Sequence, residues 1–273
     1  MIVRFWGVRG SIAVPGEETL RYGGNTSCVS VDIDGRLLVL DAGTGIRNLA
    51  RSLEGGTRSV FLLLSHPHAD HIAGFAFFAP LYDDDRCVNV FEYEDGDVRW
   101  SPLSLYDGLH SPVRVGQAIA VCRRELGPDC KGLRDLGFDV QSIPLNHPGG
   151  ALGFRIADRG RSFVYMTDNE LDADDPRTSF DTFASFCRDA DVLCHDAQYL
   201  DGDLPRKLGW GHSTVTRACD LAIAAGVRRL VLFHHDPGRT DAALDEIGVL
   251  AAARLEPHGI RCDVAWEGLT LDI

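Results

Sequence analysis

No stretch of these 273 residues is apolar for long enough to span a bilayer, which argues against a membrane partner. Positive charge is in short supply as well. Twenty-seven lysines and arginines face 40 aspartates and glutamates, a formal net charge of -13. An acidic surface repels polyphosphate chains, so long RNA or DNA is a poor substrate class. The opening residues, Met1 to Gly7, are too short and too interrupted for a signal peptide, and a cytoplasmic protein is the expectation. Among the eight cysteines none forms a Cys-x-x-Cys pair, and most sit in apolar surroundings. Reduced core thiols are therefore expected in place of a disulfide framework or a zinc knuckle. Internal repeats, low-complexity tracts and long linkers are missing too, so one domain over 1–273 is expected. With 45% hydrophobic and 25% charged residues, the remainder is the composition of an ordinary globular chain able to bury a full core.

What stands out against this background is Ser65-His66-Pro67-His68-Ala69-Asp70-His71, directly after the apolar run Val60–Leu64. Such a run reads as a buried strand of an α/β domain, and the loop beyond a strand tip is where these folds place their chemistry. Imidazole and carboxylate together suit zinc, iron or manganese better than calcium or magnesium. Four donors this close crowd a single ion. His66 and His68 can serve one metal while Asp70 and His71 serve a second.

Along the chain, strands are expected at Ile2–Val8, Cys28–Ile33 and Arg36–Leu40, the last two joined by an Asp34-Gly35 turn. Arg9, set among glycines, either meets an anionic substrate or anchors its turn, and anchoring is the simpler reading. Asp41-Ala42-Gly43 leads into a helix near Ile46–Leu53, with Asp41 bracing the loop. Ile72–Phe78 reads as helical. Residues 82–138 are irregular, with a short strand at Val88–Phe91, a helix at Val115–Glu125 and a surface His110. This insertion can cover the cleft, form a dimer surface or simply decorate the fold. Val140–Leu145 runs into His147, which Pro148 holds extended. Ala151–Ile156 and Ser162–Met166 form a hairpin that ends at Asp168. A helix spans Thr178–Ala190, and the strand after it ends at His195-Asp196, of which alternation aims only one at the cleft. His212 precedes a helix at Val215–Ala225 capped by Ser213 or Thr214. Leu230–Phe233 ends at His234-His235, and alternation alone leaves open which one points inward. A helix at Asp241–Leu255 and strands at Cys262–Trp266 and Leu269–Asp272 complete the series.

His-x-His-x-Asp-His after a hydrophobic strand, with Asp-x-Gly before it, resembles the signature of the metallo-β-lactamase-fold hydrolases. Gly211-His212-Ser213-Thr214 resembles the dinuclear branch that contains ribonuclease Z and the phosphoribosyl 1,2-cyclic phosphate phosphodiesterases. The resemblance implies a four-layer αββα sandwich. It also implies two divalent ions, zinc or alternatively manganese or iron, on His66, His68, Asp70, His71, His147, Asp168 and His234, with Asp168 shared between them. It makes His212 catalytic, oriented by Asp196, and gives Asp70 a part in aligning the nucleophile. The expected reaction is hydrolysis of a small anionic phosphodiester by a metal-bridging hydroxide, and the expected assembly is a homodimer. A carboxylic ester, thioester or lactone hydrolase and a non-catalytic metal-dependent sensor are the alternatives.

Overall fold

A computed structural model describes every residue except 57, 96–97, 110, 112, 115–116 and 118–119. His110 therefore lies outside the described residues. The chain begins with β1 (Ile2–Gly7), β2 (Cys28–Ile33), β3 (Arg36–Leu40), α1 (Ile46–Ser52), β4 (Val60–Leu63) and α2 (Ala69–Ile72). There follow β5 (Val88–Asp95), β6 (Val98–Trp100), β7 (Val121–Glu125) and α3 (Lys131–Arg134). The second half holds β8 (Asp139–Leu145), β9 (Ala151–Asp158), β10 (Arg161–Met166), α4 (Phe180–Phe186) and β11 (Val192–Asp196). It closes with α5 (Val215–Ala225), β12 (Arg229–Phe233), α6 (Asp241–Leu255), β13 (Arg261–Val264) and β14 (Thr270–Asp272).

These strands form two sheets. One runs β14-β1-β2-β3-β4-β5-β6, with β7 also paired to β5, and the other runs β13-β12-β11-β10-β9-β8. Side-chain alternation explains how they stack. In β10, Phe163 and Tyr165 join the core between the sheets, while Val164 and Met166 face the layer containing α4, α5 and α6. In β12, Val231 and Phe233 point inward and Leu230 and Leu232 outward. The first sheet does the same. Leu38 and Leu40 of β3 enter the central core, and Leu37 and Val39 pack with Ile46 and Leu49 of α1. Each fully buried side chain of this kind contributes about 1.5–3 kcal/mol. Two inner faces and two helix-covered outer faces make the αββα sandwich.

Three expectations need correction. Residues 121–125 form β7, parallel to β5, where the sequence suggested a helix over 115–125. Three of its five side chains are exposed charges, Arg123, Arg124 and Glu125, which match a helix surface and an edge strand equally well. Over 72–78, α2 starts earlier, at Ala69, and the chain turns before a short 3₁₀ segment at Phe75–Phe77. The turn sits at Gly74, whose amide donates to Ala42 O at 2.9 Å and where a Cβ would lie 2.1 Å from Gly43 O. Finally, Cys87 and Cys122 are joined as a disulfide between neighbouring strands, their Cα atoms 6.0 Å apart. Pairing of Asn89 with Cys122 across β5 and β7 brings them together, and a separation of 35 residues along the chain hid the partnership. The other six cysteines are free thiols, and five of those are buried.

Candidate metal centre

The chemistry-bearing residues collect where β4, β8, β10, β11 and β12 end. Two donor groups adjoin there. His66, His68 and His147 offer nitrogens within 4.8 Å of one another, and so do the donor atoms of Asp70, His71, Asp168 and His234. Asp168 stands between them. Its Oδ1 lies 3.2 Å from the Nε2 atoms of both His71 and His234, and its Oδ2 lies 3.6 Å from His66 Nε2 and 3.8 Å from His147 Nε2. One carboxylate thus turns one oxygen toward each group.

Three of the rings are held from behind. His71 Nδ1 donates to the fully buried Asp41 at 2.9 Å, and Asp41 also accepts from the Ser65 amide and hydroxyl and from Tyr165 OH. Asp41 is the brace expected of it. His147 Nδ1 donates to Gly211 O at 3.0 Å, and a Cβ on Gly211 would reach 2.1 Å from that nitrogen, so only glycine fits at that approach. His234 Nδ1 donates to Gln198 Oε1 at 2.8 Å. Anchoring one ring nitrogen sets the tautomer and leaves the other nitrogen's lone pair facing the cluster.

This answers the question that alternation left open. His234 enters the cluster, whereas His235 Nε2 donates to Ala265 O at 2.8 Å, away from the donors. His234 takes a left-handed backbone (φ 60°), which breaks the period of the strand before it. At the end of β11 it is Asp196 that faces the cleft. His195 turns to its own neighbourhood, with Nδ1 2.7 Å from Asp196 O and Nε2 3.2 Å from Asn169 Nδ2. Arg9 is fully buried and donates to the carbonyls of Gly23, Asp236 and Arg239, which makes it a turn anchor.

The donor chemistry fits divalent metal. The Nε2 atoms of His66 and His71 are buried without a hydrogen-bond partner, although they point at carboxylates. Burial, with the neighbouring histidines, holds His66 well below the ordinary histidine value, and burial lowers His147 too, so both favour the neutral form that a metal requires. Burial also pulls on His71, but Asp168, Asp70 and Asp41 outweigh it and hold the imidazole well above its ordinary value. The same carboxylates that favour positive charge on His71 would favour a cation beside it.

Beside the two groups stands His212, its Nδ1 2.7 Å from Asp196 Oδ2 and its ring stacked on that of His234 at 5.1 Å. Burial opposes a charge on this ring, yet Asp196, Asp168 and Asp70 prevail and push it up to about 9. Thr214 caps α5 by accepting from the Arg217 amide, which places His212 just outside the helix. A groove of about 460 Å³ opens next to His147, lined by Asn146, Pro148, Gly150, Glu170, Arg177 and Leu208 among others. Trp100 of β6 abuts it at Gly150, where a Cβ would come within 3.3 Å of the indole, so the 82–138 insertion reaches the edge of the site. Gln198, Ser65 and Ser11, whose amide donates to Asp70 Oδ2 at 2.7 Å, were not legible as site residues, because amides and hydroxyls carry no metal-ligand signature.

Residues 36–235 match the β-lactamase superfamily domain. The ribonuclease Z of Myxococcus xanthus is 26% identical over 91% of this chain and 92% of its own. Two solved structures share the fold. A diphosphatase described as belonging to the PhnP family superposes with a TM-score of 0.71 at 20% identity, covering 100% of this chain and 97% of that one. The metallo-β-lactamase-fold protein YhfI of Bacillus subtilis gives a TM-score of 0.69 at 18% identity, with 99% of both chains covered. Among the described residues no helix is long and apolar enough to cross a membrane.

Proposed function

The chain belongs to the β-lactamase superfamily, and we propose that within it this protein is a metal-dependent phosphodiesterase acting on a small cyclic or nucleotide-like diester. The observation that carries the reading is Asp168 poised between two donor groups, with the His212–Asp196 pair alongside. His66, His68 and His147 would hold one ion, Asp70, His71 and His234 the other, and Asp168 both. Two divalent ions, zinc or alternatively manganese or iron, supply when bound positive charge for the phosphoryl oxygens and an acidified water.

The chain's own groups do the rest. Asp70, fixed by the Ser11 amide, orients the attacking water. His212, protonated at neutral pH and aimed by Asp196, donates to the phosphoryl oxygens and then protonates the departing alkoxide. The products are a phosphomonoester and an alcohol, and the groove beside His147 receives the alcohol portion. Ribonuclease Z relatives bear the name of an RNA-cleaving enzyme. The excess of 40 acidic over 27 basic residues supports a small diester here.

Purified protein loaded in turn with zinc, manganese and iron should hydrolyse bis(p-nitrophenyl) phosphate and leave p-nitrophenyl phosphate and p-nitrophenyl acetate largely untouched. Turnover of the acetate alone would replace this reading with carboxylic ester chemistry. Silence toward all three in a fully loaded chain would favour a sensor.

Metal uptake should also release protons. Because His71 holds a proton in the metal-free chain, a divalent ion must displace it, with release of about one proton at pH 7. Affinity should then rise with pH until His71 is already neutral, by up to about tenfold per unit. Titration calorimetry in two buffers of different ionisation enthalpy measures this directly, and equal heats in both would refute it.

A further inference from the structure

We propose that Gln198 is a positioning residue that holds the second donor group and the His212–Asp196 pair in register, an inference that rests on the metal-centre reading above. Its side-chain oxygen accepts from His234 Nδ1 at 2.8 Å, its Nε2 donates to Ser11 Oγ at 3.3 Å, and its backbone amide donates to Asp196 Oδ1 at 2.9 Å. One buried residue thus touches three parts of the site. It aims His234, it braces the loop whose Ser11 amide holds Asp70, and it orients the carboxylate that holds His212. The fit is close on the far side too. A Cβ on Gly10 would come within 2.5 Å of the His234 ring and 2.7 Å of Gln198 Oε1, so the amide and the imidazole are clamped against a bare backbone.

The two histidines of this donor group are backed differently. His71 leans on a carboxylate, Asp41, and His234 on a neutral amide. A carboxylate behind an imidazole makes it a more basic ligand, and an amide fixes its direction without adding charge. Gln198 therefore sets orientation at one corner without adding a further negative charge to a centre already rich in Asp41, Asp70, Asp168 and Asp196.

Zinc binding by the metal-free full-length chain, read by competition with a chromophoric chelator, tests this with no substrate present. Gln198→Leu should weaken one of the two binding steps about 10–100-fold and leave the other as in wild type. Gln198→Glu, which keeps an acceptor at the same reach, should restore that step or tighten it. Two wild-type binding steps in the leucine variant would overturn the proposal. So would a glutamate variant that binds as weakly as the leucine one while its metal-free circular dichroism matches wild type. The phosphodiester assay stays separate, since a chain inactive on every diester would sink the functional reading and leave this titration standing.

Discussion

Replacing His212 by alanine should lower kcat on an aryl phosphodiester by about 10²–10⁴-fold, the range usual for a positioned acid, while bound metal stays as in wild type. The expectation follows from its place. His212 is paired with Asp196 at 2.7 Å and stacked on His234, and its nearest approach to the shared carboxylate is only 4.0 Å, at the nitrogen already committed to Asp196. On the proposed assignment, removing the ring takes away a proton donor and leaves the seven proposed metal donors in place. The pH profile gives a second check. In the metal-free chain His212 is protonated below about 9, and neighbouring cations pull that value down. Wild-type activity should therefore fall on an alkaline limb at or below pH 9, and the limb should vanish in His212→Ala. Metal analysis, kcat and the pH profile of both proteins decide the matter. Loss of metal along with activity would make His212 a ligand and remove its assignment as the acid.

Asp168→Ala should do the opposite, stripping metal and activity together. Among the described residues no other side chain sends one oxygen toward each donor group, and both sets of histidines lose their shared anion without it. Diester turnover should drop to the buffer background, and metal content after dialysis should fall for both ions. The metal-free variant should also hold its His71 proton less tightly, because Asp168 is the chief attraction opposing burial there. Its proton release on zinc addition would shrink accordingly. A variant that keeps both ions after dialysis would place Asp168 outside the coordination shell.

Much of the scaffold was legible in the sequence because its cues are local. The Val60–Leu64 run, the Asp34-Gly35 turn and the Ala/Leu-rich stretch from Asp241 each announce one element, and all three form near the expected bounds. The gathering of the metal-site candidates was legible for a related reason. Each lies just past an apolar strand, and a layered α/β fold brings such ends together. What stayed hidden depends on backbone geometry or on distant pairing. Asp168 and His234 adopt left-handed conformations (φ 51° and 60°), which side-chain periodicity cannot register. The choice of His234 over His235 turned on that. β7 pairs with β5 across a stretch without regular pattern, so neither its strand character nor the Cys87–Cys122 bond had a local signal.

The order of the donors along the chain has a consequence for biosynthesis. Asp70 and His234 lie 3.1 Å apart in the finished protein but are separated by 164 residues, and β1 finds its outer neighbour only when β14 arrives. At ribosomal speeds of about 5–20 residues per second, His234 emerges roughly 8–33 s after Asp70. For the first 98 of those residues the nascent chain displays His66, His68, Asp70 and His71 without Asp168, and for the remaining 66 it still lacks His234. On the proposed assignment, the full donor set is therefore assembled only once His234 has been made, late in the synthesis of this domain.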